Sequence, residues 1–161
     1  MQPQERVRQH AVEATEGGGR TVYLVSCVSQ KRDEPSPARD LYVSDWFRKA
    51  RGYAEASGCP WFVLSAEHGL VAPDQVVAPY ERTLNTMPVA DRRQWASRVL
   101  AQLDEAVPGL AQVVFLAGER YREFLAGQLR SRKVTVSVPM EGLRIGQQLR
   151  WLSRHTAQPT G

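Results

Sequence analysis

WFVLSAEHGLVAPDQVVAPYERTLN, Trp61 to Asn85, decides how the rest of the chain is read. An aromatic and β-branched run from Trp61 to Leu64 stops at Ser65-Ala66. Glu67, His68, Gly69, Asp74, Tyr80, Glu81 and Asn85 then follow in a polar stretch punctuated by glycine and proline. This order predicts a buried strand that empties into a site loop. Two glutamates, a histidine and a carboxamide carry more chemistry than a connection requires.

Working outward, the same kind of run recurs at TVYLVS (Thr21 to Ser26), QVVFLA (Gln112 to Ala117) and KVTVSVP (Lys133 to Pro139), which predicts three more strands. Helical spacing fills the intervals. Leu41 to Ser57 sets Tyr42, Trp46, Ala50, Tyr53 and Ala54 on one face. Pro88 and Asp91 announce a helix in which Trp95, Val99 and Leu103 repeat every fourth residue. GERYREFLAGQLR opens another helix directly after its strand. A closing helix is expected from Leu143 to His155, with Leu143, Leu149, Trp151 and Leu152 as core anchors. Strands alternating with helices give an α/β class, a single-domain three-layer sandwich around a mainly parallel sheet of about four strands. Residues 1–20, broken by Gly17-Gly18-Gly19, are expected to be a flexible arm, 21–155 one catalytic domain and 156–161 a tail.

Composition narrows the class. A chain of 161 residues, 42% hydrophobic and 24% charged, can bury about 70% of its unfolded surface as one domain. No apolar stretch approaches the ~20 residues that span a bilayer. The N-terminus lacks the apolar centre of a signal peptide, so a cytoplasmic protein without membrane contact is expected. Cys27 and Cys59 are expected to be free thiols, and no spacing suggests zinc or another metal, nor any cofactor. The net charge of +4 and a pI near 9.4 suit an anionic partner. Lys31, Lys49 and Lys133 are the only lysines among 21 basic residues, and arginine favours bidentate phosphate contacts. A GC-rich genome would favour arginine equally.

Ligands of open α/β sheets sit beyond the carboxyl ends of the strands. That rule collects Ser26 to Lys31, Ser65 to His68, Gly118 to Tyr121 and Met140 to Gly142. SCVSQK (Ser26 to Lys31) places small polar residues and a lysine where a phosphate can be held, but lacks the GxxxxGK[ST] of a nucleotide triphosphatase. Cys27 is read as a structural thiol, since no base partners it. GERYREF puts Gly118, Arg120 and Tyr121 at a helix N-terminus that favours an anion, whereas Glu119 also fits as an ordinary dipole-matching residue. His68, the one histidine away from the termini, suits a general acid or a local backbone cap, and Glu67 a catalytic or a solvated acid. In PYERTLN, Tyr80 can stack on a base or lie across a pocket. Glu81 and Asn85 would share a face of any helical turn, where a carboxylate and a carboxamide can activate and orient water beside a sugar. The plain alternative is that Glu81 pairs with Arg82 or Arg39.

The set SCVSQK, LYVSDWF, VLSAEHGLVAPDQVVAPYERTLN, LAGERY and GLRIGQQLRWL resembles a group of small bacterial proteins related to the YaaA peroxide-stress proteins and to a domain of archaeosine synthases. The likeness runs from about Thr21 to Leu152, and LSAxxGL followed by PY[DE]xTL is its specific part. Within the group is a phage-defence DNA glycosylase that removes glucosylated hydroxymethylcytosine and leaves abasic sites. The resemblance implies a cytoplasmic N-glycosylase in antiviral defence, acting on a modified nucleobase in phage DNA by base flipping, with no obligate protein partner. Glu81, with Asn85, Glu67 or His68, would do the chemistry. Ser26, Cys27, Lys31, Tyr42, Ser65, Tyr80, Gly118, Arg120 and Tyr121 would hold the nucleic acid. Glu67-His68 falls outside the fixed pattern, which points that pair toward base specificity. Two rivals fit the residues. One is a nucleoside or nucleotide deoxyribosyl transferase or hydrolase, the other a non-catalytic nucleic-acid-binding module.

Overall fold

The computed structural model describes residues 19–26 and 30–156. Most of the expected arm, Cys27 and residues 157–161 lie outside the described residues. The sheet is built around β1 (Arg20–Ser26). Parallel strands flank it on both sides, β3 (Trp61–Ser65) and β6 (Leu110–Leu116). β7 (Thr135–Ser137) extends the sheet in parallel beyond β6. β4 (Gly69–Val71) closes the opposite edge antiparallel to β3, giving the order β4-β3-β1-β6-β7. A separate ribbon pairs β2 (Ser36–Pro37) with β5 (Val76–Val77). The α/β class and the mainly parallel sheet agree with the sequence reading, but the sheet has five strands rather than about four.

The carboxyl halves of the central strands β1 and β6, and all of β3, are buried between the helical layers and are largely apolar. All five residues of β3 are buried, and Phe62 and Phe115 are wholly enclosed. Truncating either phenylalanine to alanine is expected to cost about 3–5 kcal/mol. α1 (Ala38–Leu41) is a single turn. α2 (Asp45–Ala56) buries Phe47, Ala50 and Ala54. It packs against β1 and against α5 (Ile145–Thr156), with Tyr23 of β1 meeting Tyr53 edge-on at 5.9 Å between ring centroids. α3 (Val89–Ala106) and α4 (Glu119–Ser131) pack together as the other helical layer, with Trp95, Val99 and Leu103 all buried as their spacing predicts.

Two expectations shift. The helix predicted from Leu41 begins only at Asp45, because the Ser44 hydroxyl accepts the Phe47 amide at 3.1 Å and caps it there. Tyr42 is extended instead and pairs with Lys31 in an isolated bridge. In the closing helix Leu152 alone is fully buried; Leu143, Leu149 and Trp151 are half-covered and Ile145 is exposed.

The chain leaves β1 toward β3 on one side, and α3 carries it back to β6 on the other. Connections therefore diverge between the carboxyl ends of β1 and β6, which opens a crevice there.

Candidate functional site

A cleft of about 700 Å³ lies at this divergence. Its inner end is Ser26, the last residue of β1, together with the buried ring of Tyr121. One wall is the segment Tyr80 to Asn85, the other is Gly118 to Arg120 at the start of α4, and Lys31 reaches in beside Tyr80. Glu81, Arg82, Asn85, Glu119 and Arg120 are all exposed along the rim. The side chains of Glu81, Arg82, Asn85 and Glu119 make no hydrogen bond or ion pair within the described residues.

Behind the first wall is a chain of hydroxyls. The Ser65 hydroxyl donates to the Tyr80 phenol oxygen at 2.8 Å, and that oxygen lies 2.6 Å from the phenol of Tyr42. Ser65 also accepts the His68 amide at 3.0 Å, while its carbonyl accepts the Trp95 indole N–H at 2.8 Å. The Lys31 ammonium sits over the Tyr80 ring, 4.6 Å from its centroid, and 5.8 Å from that of Tyr42. One face of Tyr80 is thus occupied by a cation, and the ring orients Lys31 rather than offering that face to a base. Ser65 and Tyr42 do not line the cleft; they hold the residue that does.

The walls are tied to each other. Arg92, almost wholly buried, donates to the Met87 carbonyl and pairs with Glu123 of α4 at 2.9 Å. The Leu84 amide points to the Tyr121 hydroxyl at 3.5 Å, and Tyr121 meets Trp95 edge-on. Thr83 caps the short 3-10 turn Leu84–Thr86 by accepting the Asn85 amide at 3.2 Å. Glu81 and Asn85 therefore share the cleft because an extended segment runs into this turn, and not because one helical turn spans them. The alternative pairing of Glu81 is not seen, since Arg39 turns to Asp40 and Arg82 takes no acid among the described residues.

Glu67 and His68 lie elsewhere. Ala66 to His68 form the three-residue turn of the β3–β4 hairpin, with Gly69 at φ 76° completing it. A side chain at Gly69 would run into Gln102, whose amide oxygen accepts the Leu70 N–H at 2.8 Å, and into Arg98. Arg98 in turn donates to the Glu67 carbonyl at 2.8 Å. The His68 ring packs edge-on to Tyr80 at 5.7 Å. Burial, opposed by Glu67 and reinforced by Arg98, holds the His68 pKa below its ordinary value, so the imidazole is neutral near pH 7. Neither residue lines the cleft.

Of the residues singled out in the sequence, the fold brings Ser26, Lys31, Tyr80, Glu81, Asn85, Gly118, Arg120 and Tyr121 into the cleft. Thr83, a fixed position of PY[DE]xTL, and Arg82, considered only as a partner of Glu81, join them without having been given a binding role. Glu119, first read as a dipole-matching residue, also faces the cleft. Among the described residues there is no cluster of side chains able to hold a metal ion, and no helix long and apolar enough to cross a membrane.

Fold and cleft together define an α/β protein with a cleft at the switch point of its sheet. Residues 22–154 match the model of DUF6884, a family of unknown function, and the chain belongs to that family. It is also 30% identical over 128 residues to the uncharacterized protein YfjM of Bacillus subtilis (strain 168), a match that covers 74% of this chain and 80% of that protein. No solved structure matches the chain.

Proposed function

We propose that the protein is a DNA glycosylase that hydrolyses the N-glycosidic bond of a modified base and leaves an abasic site. Glucosylated hydroxymethylcytosine in phage DNA is the base class, and defence against phage the setting. The motifs LSAxxGL and PY[DE]xTL support this reading through their resemblance to such enzymes and to the wider YaaA and archaeosine-synthase group. The observation that carries it is the Glu81 carboxylate, which stands in the switch-point cleft with no partner among the described residues. It is exposed beside Lys31 and Arg82, which line the same cleft, and is open to a substrate there.

The chemistry follows from the walls. A base leaves the duplex stack at a cost of a few kcal/mol and enters the cleft, whose about 700 Å³ suits a nucleoside carrying an added sugar. Glu81 stabilises the cationic sugar as the bond from C1′ to the base nitrogen breaks. The bonding electrons leave with the base, which takes a proton from solvent. Water then attacks C1′, its proton passing to the Glu81 carboxylate while Asn85 orients it. Arg82, Arg120 and Lys31 supply the positive potential for the strand. The exposed rim suits a polymer better than a small nucleoside that must be enclosed.

The test is incubation with genomic DNAs carrying different base modifications, with mass spectrometry of released bases and alkali cleavage to reveal abasic sites. Release of a modified base with alkali-labile sites is expected. Cleavage of free nucleosides with none of DNA would replace the reading by a nucleoside hydrolase. Salt-sensitive DNA binding without any released base would replace it by a binding module.

A further inference from the structure

Gly118 occupies a position that does not need a glycine. Its backbone, φ −68° and ψ 165°, is open to every residue, and a Cβ built there would meet nothing within 4 Å among the described residues. It is nevertheless the N-cap of α4, where serine, threonine or aspartate would cover the first amides with a side-chain oxygen. Without that oxygen the Glu119 and Arg120 amides have no acceptor among the described residues, while the Tyr121 amide turns back to the Gly118 carbonyl at 3.0 Å.

A second observation points at the same place. Ser26 lines the cleft, is only 5% exposed, and its hydroxyl has no hydrogen-bond partner among the described residues. Its oxygen is not among the buried, unpartnered atoms of the described residues, so it opens onto the cleft, where an acceptor can reach it. The helix amides and the Ser26 hydroxyl lack an acceptor among the described residues, and the Arg120 guanidinium, 3.8 Å from the Glu123 carboxylate, adds positive charge to the same cleft.

We infer that the start of α4, where it lines the cleft together with Ser26, is a phosphate site. The Glu119 and Arg120 amides, the Ser26 hydroxyl and the Arg120 guanidinium hold the phosphate of the nucleotide whose sugar stands beside Glu81. That the phosphate belongs to a nucleotide rests on the glycosylase reading; the donor set does not. The glycine leaves the amides bare and the space above them empty, so that the ligand's oxygen caps the helix. The carboxylate of Glu119 opposes the anion within the same cleft, which keeps binding weak enough for release.

The test uses the full-length protein labelled with 15N, titrated with inorganic phosphate, deoxycytidine, and deoxycytidine 5′- and 3′-monophosphates. The tighter monophosphate should bind at least about tenfold better than the nucleoside, the effect of one or two charge-assisted hydrogen bonds. Inorganic phosphate alone should shift the Glu119 and Arg120 amides. Ser26→Ala should narrow the gap, and Glu119→Gln should widen it. Gly118→Asp gives opposite signs: its carboxylate caps the helix, so thermal stability holds or rises while the phosphate preference disappears.

Equal binding of nucleoside and nucleotides, no response to any phosphate, or an unchanged preference in a folded Gly118→Asp protein would each overturn the site. If the preference appears and Gly118→Asp removes it but no DNA yields a base, the glycosylase reading falls and the phosphate site stands. Base release without a phosphate preference removes the site alone.

Discussion

The β3–β4 hairpin and the cleft wall opposite α4 are equally rich in polar residues and differ in how those residues are used. In the hairpin the backbone of the turn is held by surrounding side chains, although the Glu67 carboxylate makes no hydrogen bond or ion pair among the described residues. Ser65 serves His68 and Tyr80, Gln102 serves Leu70 and His68, and Arg98 serves Glu67. Gly69 is forced both by its φ of 76° and by the side chains above it. In the cleft, among the described residues, Glu81, Arg82, Asn85 and Glu119 are exposed and uncommitted, and Gly118 is forced by nothing in its own surroundings. Commitment to backbone marks a motif that builds the fold, and its absence inside a cavity supports the proposed ligand site.

The glycines break or sharpen this contrast most strongly. Gly69→Ala should destabilise the protein by about 2–4 kcal/mol, combining left-handed strain with displacement of Gln102 from the Leu70 amide. Gly118→Ala should cost less than about 1 kcal/mol, the loss of a tolerated cap. Denaturant unfolding of both variants measures the difference, and equal losses would erase the distinction.

Ser65→Ala should cost about 1–3 kcal/mol, because a wholly buried hydroxyl that serves two partners is removed. A double-mutant cycle with Tyr80→Phe should show coupling of about 0.5–2 kcal/mol, since the two hydroxyls share one bond. Additivity would mean that the hydroxyl chain does not act as a unit.

The pH dependence is subtler. His68 binds its proton less readily in the folded state than in the unfolded chain, so the unfolded state carries more protons between the two pKa values. Stability should therefore fall as pH drops through the ordinary histidine value of about 6.5 toward the lower folded one, and His68→Gln should flatten that slope. Smallest of all, Asn85→Ala should change stability by less than about 0.5 kcal/mol, because the exposed carboxamide supports nothing in the fold.

Much of this is written in local pattern, and the exceptions have physical causes. β1, β3 and β6 are legible because a strand must be largely apolar where it is covered on both faces. β4 is not, since Gly69-Leu70-Val71 is too short to show a period. Tyr42 fits a helical face as well as it fits an extended residue packed on the same core. Only Ser44, as a cap, distinguishes the two. The rule of carboxyl edges places Ser26, Lys31, Gly118 and Tyr121 in the cleft from sequence alone. It also admits Glu67 and His68, because a hairpin turn and a site loop share the same glycine and polar residues. Arg82 falls on the variable position of PY[DE]xTL and carries no signal of its own; its place depends on the route from β5 into the Leu84–Thr86 turn.

The most direct test compares one residue from each region. Glu81→Gln and His68→Gln are purified, matched for thermal stability and DNA affinity, and assayed for base release from DNA bearing glucosylated hydroxymethylcytosine. The account predicts that Glu81→Gln loses turnover by at least about a hundredfold, the lower bound for a positioned general base, while His68→Gln keeps most of it. Retained turnover in a folded, DNA-binding Glu81→Gln protein would contradict the account.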